Sequence, residues 1–166
     1  MGLFNGLVVW TNNVFGASGS YGLFLLAFME SSFFPVPPDV LLIALSLADP
    51  SKALWFAFIC TAGSVMGGMF GYLIGYLGEM AILKKLVSEH KIQKVHNMFN
   101  KYEALAILIA GFTPVPYKVF TIAGGVFYIN FKKFVLMSII SRGARFFLEA
   151  ALIIFYGAEI MSFIDR

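Results

Sequence analysis

At 166 residues, 60% of them hydrophobic and only 13% charged, with a mean hydropathy of +0.85, the chain is too apolar to hide its side chains inside a soluble globule of its size. A net charge of +3, with no basic stripe set on a nucleic-acid-binding motif, excludes a nucleic-acid partner. The single cysteine, Cys60, lies in an apolar run, which excludes an internal disulfide or a cysteine zinc site and makes it a small buried hydrophobe.

The opening MGLFNGLVVWTNNVFGASGS lacks the basic start of a signal peptide, and Asn12-Asn13 cuts its apolar stretch short. Gly6 stands where a myristoylation motif needs Ser or Thr. The segment is expected to be an interfacial lead-in with Trp10 at headgroup depth. Four apolar blocks follow. Tyr21 to Ala48 is interrupted by PVPPD, and Ala53 to Leu77 runs unbroken for roughly 37 Å, enough to cross a bilayer with tilt. After a polar section, Ala104 to Ile129 is interrupted by TPVPYK, and Phe134 to Tyr156 carries Arg142, Arg145 and Glu149.

Proline removes a backbone donor, clashes with the preceding turn and pushes the residue before it toward extended geometry. Pro35, Pro37 and Pro38 in the first interruption, and Pro114 and Pro116 in the second, should therefore end helices and not merely bend them. Each limb is then about 10–14 residues, short of a full crossing and suited to a re-entrant half-helix. Non-helical backbone at that depth is tolerated where it is buried in protein or lines a cavity, so the prolines mark a site.

Laying each residue on the one 79 positions later exposes a weak internal repeat. Pro35-Val36-Pro37 falls on Pro114-Val115-Pro116, Ile43-Ala44 on Ile122-Ala123, and Asp39 on Lys118. The expected fold class is all-α integral membrane with two inverted repeats, about 20–78 and 104–157, in a single domain. Each repeat is a proline-broken re-entrant hairpin plus a transmembrane helix, and an interfacial amphipathic linker, 79–103, joins them. With re-entrant hairpins, Lys84, Lys85, Lys91, Lys94, Lys101, Lys132 and Lys133 share one side. The positive-inside rule places that side in the cytoplasm and both termini outside.

His90 and His96 lie in the linker without enough neighbouring ligands for a metal site. Gly63, Gly67, Gly71 and Gly75 recur every four residues, a small-residue ridge for close helix packing, internal or dimeric. GSVMGGMFG is not a phosphate loop, since it lacks the GK[ST] ending and lies inside an apolar span.

Six ionisable residues fall at depth: Glu30, Asp39, Lys118, Arg142, Arg145 and Glu149. Each costs at least ~2.5–3.5 kcal/mol if it faces lipid, so they should face inward and pair. Arg142, Arg145 and Glu149 share a helix face, and Arg145 and Glu149 can pair at i, i+4. Pairing to hold the hairpins against the last helix and a functional site both fit this pattern; Glu149, with a local partner, fits the structural role best. There is no nucleophile elbow, no HExxH and no placed Ser-His-Asp set, so an enzyme is not expected and no cofactor or metal is implied.

FMESSFFPVPPDVLL, an acid, a proline cluster and a second acid, resembles the DedA-like family, also called SNARE-associated or VTT-domain proteins. GFTPVPYKVFTIAGGVF with KKFVLMSIISRGARFFLEA is similar to the family's YqaA branch, and the likeness covers about residues 20 to 157. The resemblance implies a multi-pass bacterial inner-membrane protein that moves or flips lipid, with undecaprenyl phosphate or a phospholipid as partner and proton coupling in some relatives. It assigns proton coupling to Glu30 and Asp39, sets Lys118 where many members carry arginine, and matches Arg142 and Arg145 to the branch's basic positions. Ala110-Gly111-Phe112 stands where many members have an arginine before the second proline. The expected function is a flippase in which Lys118, Arg142 and Arg145 bind an anionic headgroup; the alternative is a membrane scaffold held through the glycine ridge and the basic linker. Oligomeric state is left open by the sequence.

Overall fold

The first apolar run ends where proline requires it to end. A computed structural model describes residues 18–32, 36–86, 102, 105, 107–109, 111, 112 and 117–164, with side chains for all of these except 79–86 and 158–164. Helix α1, Ser20–Ser32, stops before the proline cluster, and α2, Asp39–Ala48, restarts with Pro38 as its N-cap and Asp39 in its first turn. A carboxylate there is favoured by the helix dipole, so the aspartate belongs to the second limb and not to the break. Of the expected break residues, Pro37 is exposed and Pro38 buried, while Pro35, Pro114 and Pro116 lie outside the described residues. A short 3-10 turn, Pro50–Lys52, leads into α3, Ala53–Leu86; there Lys52 and Ser51 bonded to the Asp49 carboxyl hold it below the usual carboxylate range. After Tyr117–Val126 (α4) and a tight turn comes α5, Phe131–Ile164. No strand occurs among the described residues, so the fold is all-α.

Helix α3 is the axis. Its 34 residues make a rod of about 51 Å. The stretch Pro50–Gly78 is long and apolar enough to cross a membrane. The sequence places the end of this span at Leu77 and opens a separate interfacial helix at 79. Instead residues 79–86 continue α3, because Glu, Met, Ala, Leu and Lys are good helix formers and Gly78 alone costs only about 1 kcal/mol. The remainder of the expected interfacial helix, 87–101 with His90 and His96, lies outside the described residues.

Contacts along α3 give the path of the other elements. A Cβ on Gly63 would strike the Phe24 carbonyl, one on Gly67 the Phe28 carbonyl, and one on Gly71 the Thr121 hydroxyl. Helix α1 thus runs beside α3 in the same direction, with Trp55 Nε1 donating to Ser20 Oγ at 3.3 Å near its start. Helix α2 must return toward that start, because only four residues separate Ala48 from the first residue of α3, Ala53. The second broken segment mirrors this from the far end. Gly111 packs on Ser141, Tyr117 and Thr121 lie at Gly68, and Gly125 meets the Tyr72 carbonyl, so α4 runs back toward the C-terminal end of α3. Helix α5 then descends antiparallel to α3, from Phe131 beside Tyr72 to Gly143 beside Thr61. The glycine ridge is spent internally on these close approaches.

The turn between α4 and α5 shows local logic. Tyr128 adopts φ +53°, with its N–H on the Gly125 carbonyl and the Ile129 N–H on that of Gly124, closing α4. Asn130 then caps α5, its Oδ1 accepting from the Lys133 N–H at 3.2 Å.

Two apolar cores result. One joins Leu23, Leu26, Leu41 and Leu42 of the first hairpin to Phe56, Ala57 and Cys60 of α3 and Phe146 and Ala150 of α5. The other joins Ile107, Tyr117, Ile129 and Phe134, with Tyr72 packed on them. Between the two cores lies a polar layer. The outward faces of α3 and α5 expose Leu54, Phe58, Phe70, Leu73, Leu136, Ile140 and Phe155, an apolar coat suited to acyl chains and costly in water.

Candidate functional site

The polar layer is built where the end of α1 and the starts of α2 and α4 meet α3 and α5. Ser64 marks its depth: it lies 11 residues past Ala53, about 16 Å along α3 and close to half a hydrocarbon thickness of ~30 Å. Glu30 ends α1, where the helix dipole disfavours a carboxylate, so a cation is needed beside it. Arg142 supplies it. Its Nη2 donates to Glu30 Oε2 at 2.9 Å and its Nε to Ser64 Oγ at 2.7 Å, and the guanidinium lies 5.0 Å and 4.6 Å from the ring centres of Tyr117 and Phe146. Side-chain exposure is 3% for Arg142 and 14% for Glu30, so this pair is sealed.

Around it hydroxyl groups complete the bonding. Ser31 Oγ lies 2.7 Å from Ser64 Oγ and donates to Glu30 Oε2 at 3.1 Å; Ser32 donates to the Gly67 carbonyl at 3.0 Å. Tyr117 donates to Ser138. Thr121 Oγ1 lies 3.1 Å from the Ser31 carbonyl and 2.9 Å from the Lys118 carbonyl, so its one proton is shared between a contact from α4 to α1 and one within α4. Hydrogen bonds of this kind hold polar atoms at depth, where each unmet one costs ~1–3 kcal/mol.

One turn further along α5 the arrangement changes. Arg145 contacts Asp39 Oδ1 through Nη2 at 2.6 Å and Nε at 2.9 Å, and Glu149 Oε1 through Nε at 3.2 Å. Side-chain exposures of 20%, 15% and 23% make this trio more open than the Arg142 pair. A cavity of about 250 Å³, lined by Phe112, Arg145, Leu148, Glu149 and Leu152, opens beside it.

Four of the five charged residues expected at the site, Glu30, Asp39, Arg142 and Arg145, therefore come together as two carboxylate–guanidinium groups. Lys118 does not join them: it is half-buried in the first turn of α4, and no described side chain pairs with its ammonium. Asp39, which the sequence comparison set opposite it, faces Arg145 instead. The sequence reading missed Ser64, Ser31, Tyr117 and Thr121, none of which carries a charge to single it out. It placed Glu149 at depth on the face of Arg142 and Arg145, with Arg145 as its partner, and not beside Asp39.

Comparison with known proteins covers the same elements. The VTT domain matches residues 36–155, a stretch that holds Asp39, Lys118, Arg142, Arg145 and Glu149 and leaves out Glu30. An uncharacterized protein of Haemophilus influenzae is 38% identical over 147 residues, 86% of this chain and 74% of that one. One of Histophilus somni is 35% identical over 166 residues, 95% of this chain and 82% of that one. An uncharacterized membrane protein of Mycobacterium tuberculosis is 28% identical over 134 residues, 74% of this chain and 59% of that one. No solved structure matches. With the family match spanning most of the chain and the first two relatives aligned over 86% and 95% of it, this all-α chain belongs to the VTT-domain family, the DedA-like membrane proteins.

Proposed function

We propose that the protein is a flippase that carries an anionic lipid headgroup, most simply a phosphate, across the bacterial inner membrane. The observation that carries this reading is Arg145: a guanidinium at the polar layer, held by carboxylates and reached through the side cavity between Phe112, Leu148 and Leu152. A phosphate takes the same forked donors that a carboxylate takes, so it can replace Asp39 on Arg145 without a new binding mode. Arg142, sealed beside Glu30 and Ser64, is the second cation, and Lys118 on α4 is a third that a headgroup meets on the way out. Glu30 and Asp39 release those cations when protonated and reclaim them when ionised, which couples a proton to the headgroup. No bond-making chemistry is involved.

In this reading the two broken segments are re-entrant hairpins of an inverted repeat, entering from opposite faces. Their support is the opposite direction in which each doubles back along α3, with ends that meet through Thr121 and Ser31. The exposed Lys132 and Lys133 sit at the end toward which α3 carries Lys84 and Lys85, which favours that end as cytoplasmic. The scaffold alternative loses its ridge as a partner surface, because Gly63, Gly67, Gly71 and Gly75 are already covered from within.

The test is translocation in vesicles containing the purified protein, with fluorescent phosphatidic acid, a polyprenyl phosphate and phosphatidylcholine as probes. Faster movement of the phosphate monoesters, reduced to the protein-free rate in Arg145→Gln, is the expected result. Equal movement of all three probes, or an active Arg145→Gln protein, overturns the reading.

A further inference from the structure

Two carboxylates lean on one guanidinium at Arg145. Asp39 Oδ1 at 2.9 Å and Glu149 Oε1 at 3.2 Å accept from the same Nε, which places the two acids side by side. Two carboxylates thus share one guanidinium, an arrangement that two ionised acids resist. Glu149 Oε2 is buried and has no hydrogen-bond partner. By contrast Glu30 and Arg142 match one anion to one cation, with serine hydroxyls filling the rest. The trio lacks a donor, and the missing donor fits between the acids.

We infer that Asp39 and Glu149 form a carboxyl dyad that holds one proton over Arg145, with Glu149 the acid that faces the side cavity. The inference rests on the phosphate reading only for its use; the proton site itself needs no substrate. With both acids ionised the trio carries one net negative charge, and an arriving phosphate is repelled. Taking one proton from water in the cavity makes the trio neutral, the proton ending between the two carboxyl oxygens. Arg145 is then open to an anion, so proton and phosphate load together. Among the described residues, the neighbouring elements bring these groups. Arg142 on α5 is engaged by Glu30 of α1, α3 presents the buried Cys60 thiol, residue 112 is the apolar Phe112, and Lys52 of the 3-10 turn is bonded to Asp49. Among the described residues no three His, Cys, Asp or Glu side chains gather to hold a metal ion.

The experiment is infrared spectroscopy of the purified protein in a detergent free of ester groups, without substrate, titrated across neutral pH. A dyad with one proton has a particular signature: the carbonyl stretch of a protonated carboxylic acid is present in the wild type and vanishes in Asp39→Asn and in Glu149→Gln alike. Either substitution leaves one acid for one guanidinium, and that pair needs no proton. Asp49→Asn, at the surface, keeps the band. Circular dichroism confirms that each variant is folded, and the two dyad variants report independently should one fail. A wild type without the band, or a band that survives either dyad substitution, overturns the inference whatever the flipping assay gives. A wild type that has the band but moves no phosphate probe leaves the dyad standing and removes the flippase reading.

Discussion

Replacing Glu30 by Gln strands a cation in the middle of the protein. Arg142 is 3% exposed, and its 2.9 Å contact to Glu30 is worth about 6 kcal/mol of Coulomb attraction at an effective dielectric of about 20. Gln can still accept one hydrogen bond, and the lost carboxylate no longer has to be desolvated, so the net destabilisation falls to about 3–5 kcal/mol. Arg142→Met strands the anion instead and costs about the same. The double variant Glu30→Met/Arg142→Met removes both charges from the layer and should cost less than either single change, a coupling of at least about 2 kcal/mol. Unfolding in mixed micelles of rising dodecyl sulfate fraction, followed by circular dichroism, measures all four proteins. Additive single losses, each below about 1 kcal/mol, would refute the claim that this pair is sealed and mutually dependent, since that is how an exposed pair behaves.

Close packing at the glycines gives a second expectation. Gly67→Ala places a Cβ against the Phe28 carbonyl and should abolish stable expression, whereas Gly78→Ala meets nothing within 4 Å and should stabilise α3 by about 1 kcal/mol; equal thermal midpoints for the two would contradict the parallel course of α1 and α3. Asn130→Ala removes the Oδ1 acceptor from the first turn of α5 and should lower unfolding free energy by about 1 kcal/mol, with Asn130→Asp restoring it.

Several features were legible in the sequence because they depend on neighbours in the chain. The proline cluster predicts the gap between Ser32 and Asp39, and the i, i+3, i+7 spacing predicts that Arg142, Arg145 and Glu149 face one way. Which acid meets which base was not legible. That choice depends on the heights at which α1, α2 and α5 lie along α3, and those heights are set by contacts such as Gly63 with Phe24 that no local pattern encodes. The repeat suggested that Asp39 and Lys118 are counterparts, yet α5 supplies the cation to Asp39. Ser64 carries no charge and was not singled out, although its hydroxyl bonds both Ser31 and Arg142. Glu149 was read from its own helix, because a partner 110 positions earlier leaves no trace in a helical wheel.

The two ion pairs join residues 112 and 106 positions apart, and in both the acid is made long before the base. While the ribosome is still threading the middle of the chain, Glu30 and Asp39 have already been delivered without a counterion. The first half must therefore wait, shallow or chaperoned, until the last helix arrives and lets it settle. A message truncated before Arg142 would yield a product that insertion quality control can recognise by its orphaned acids alone.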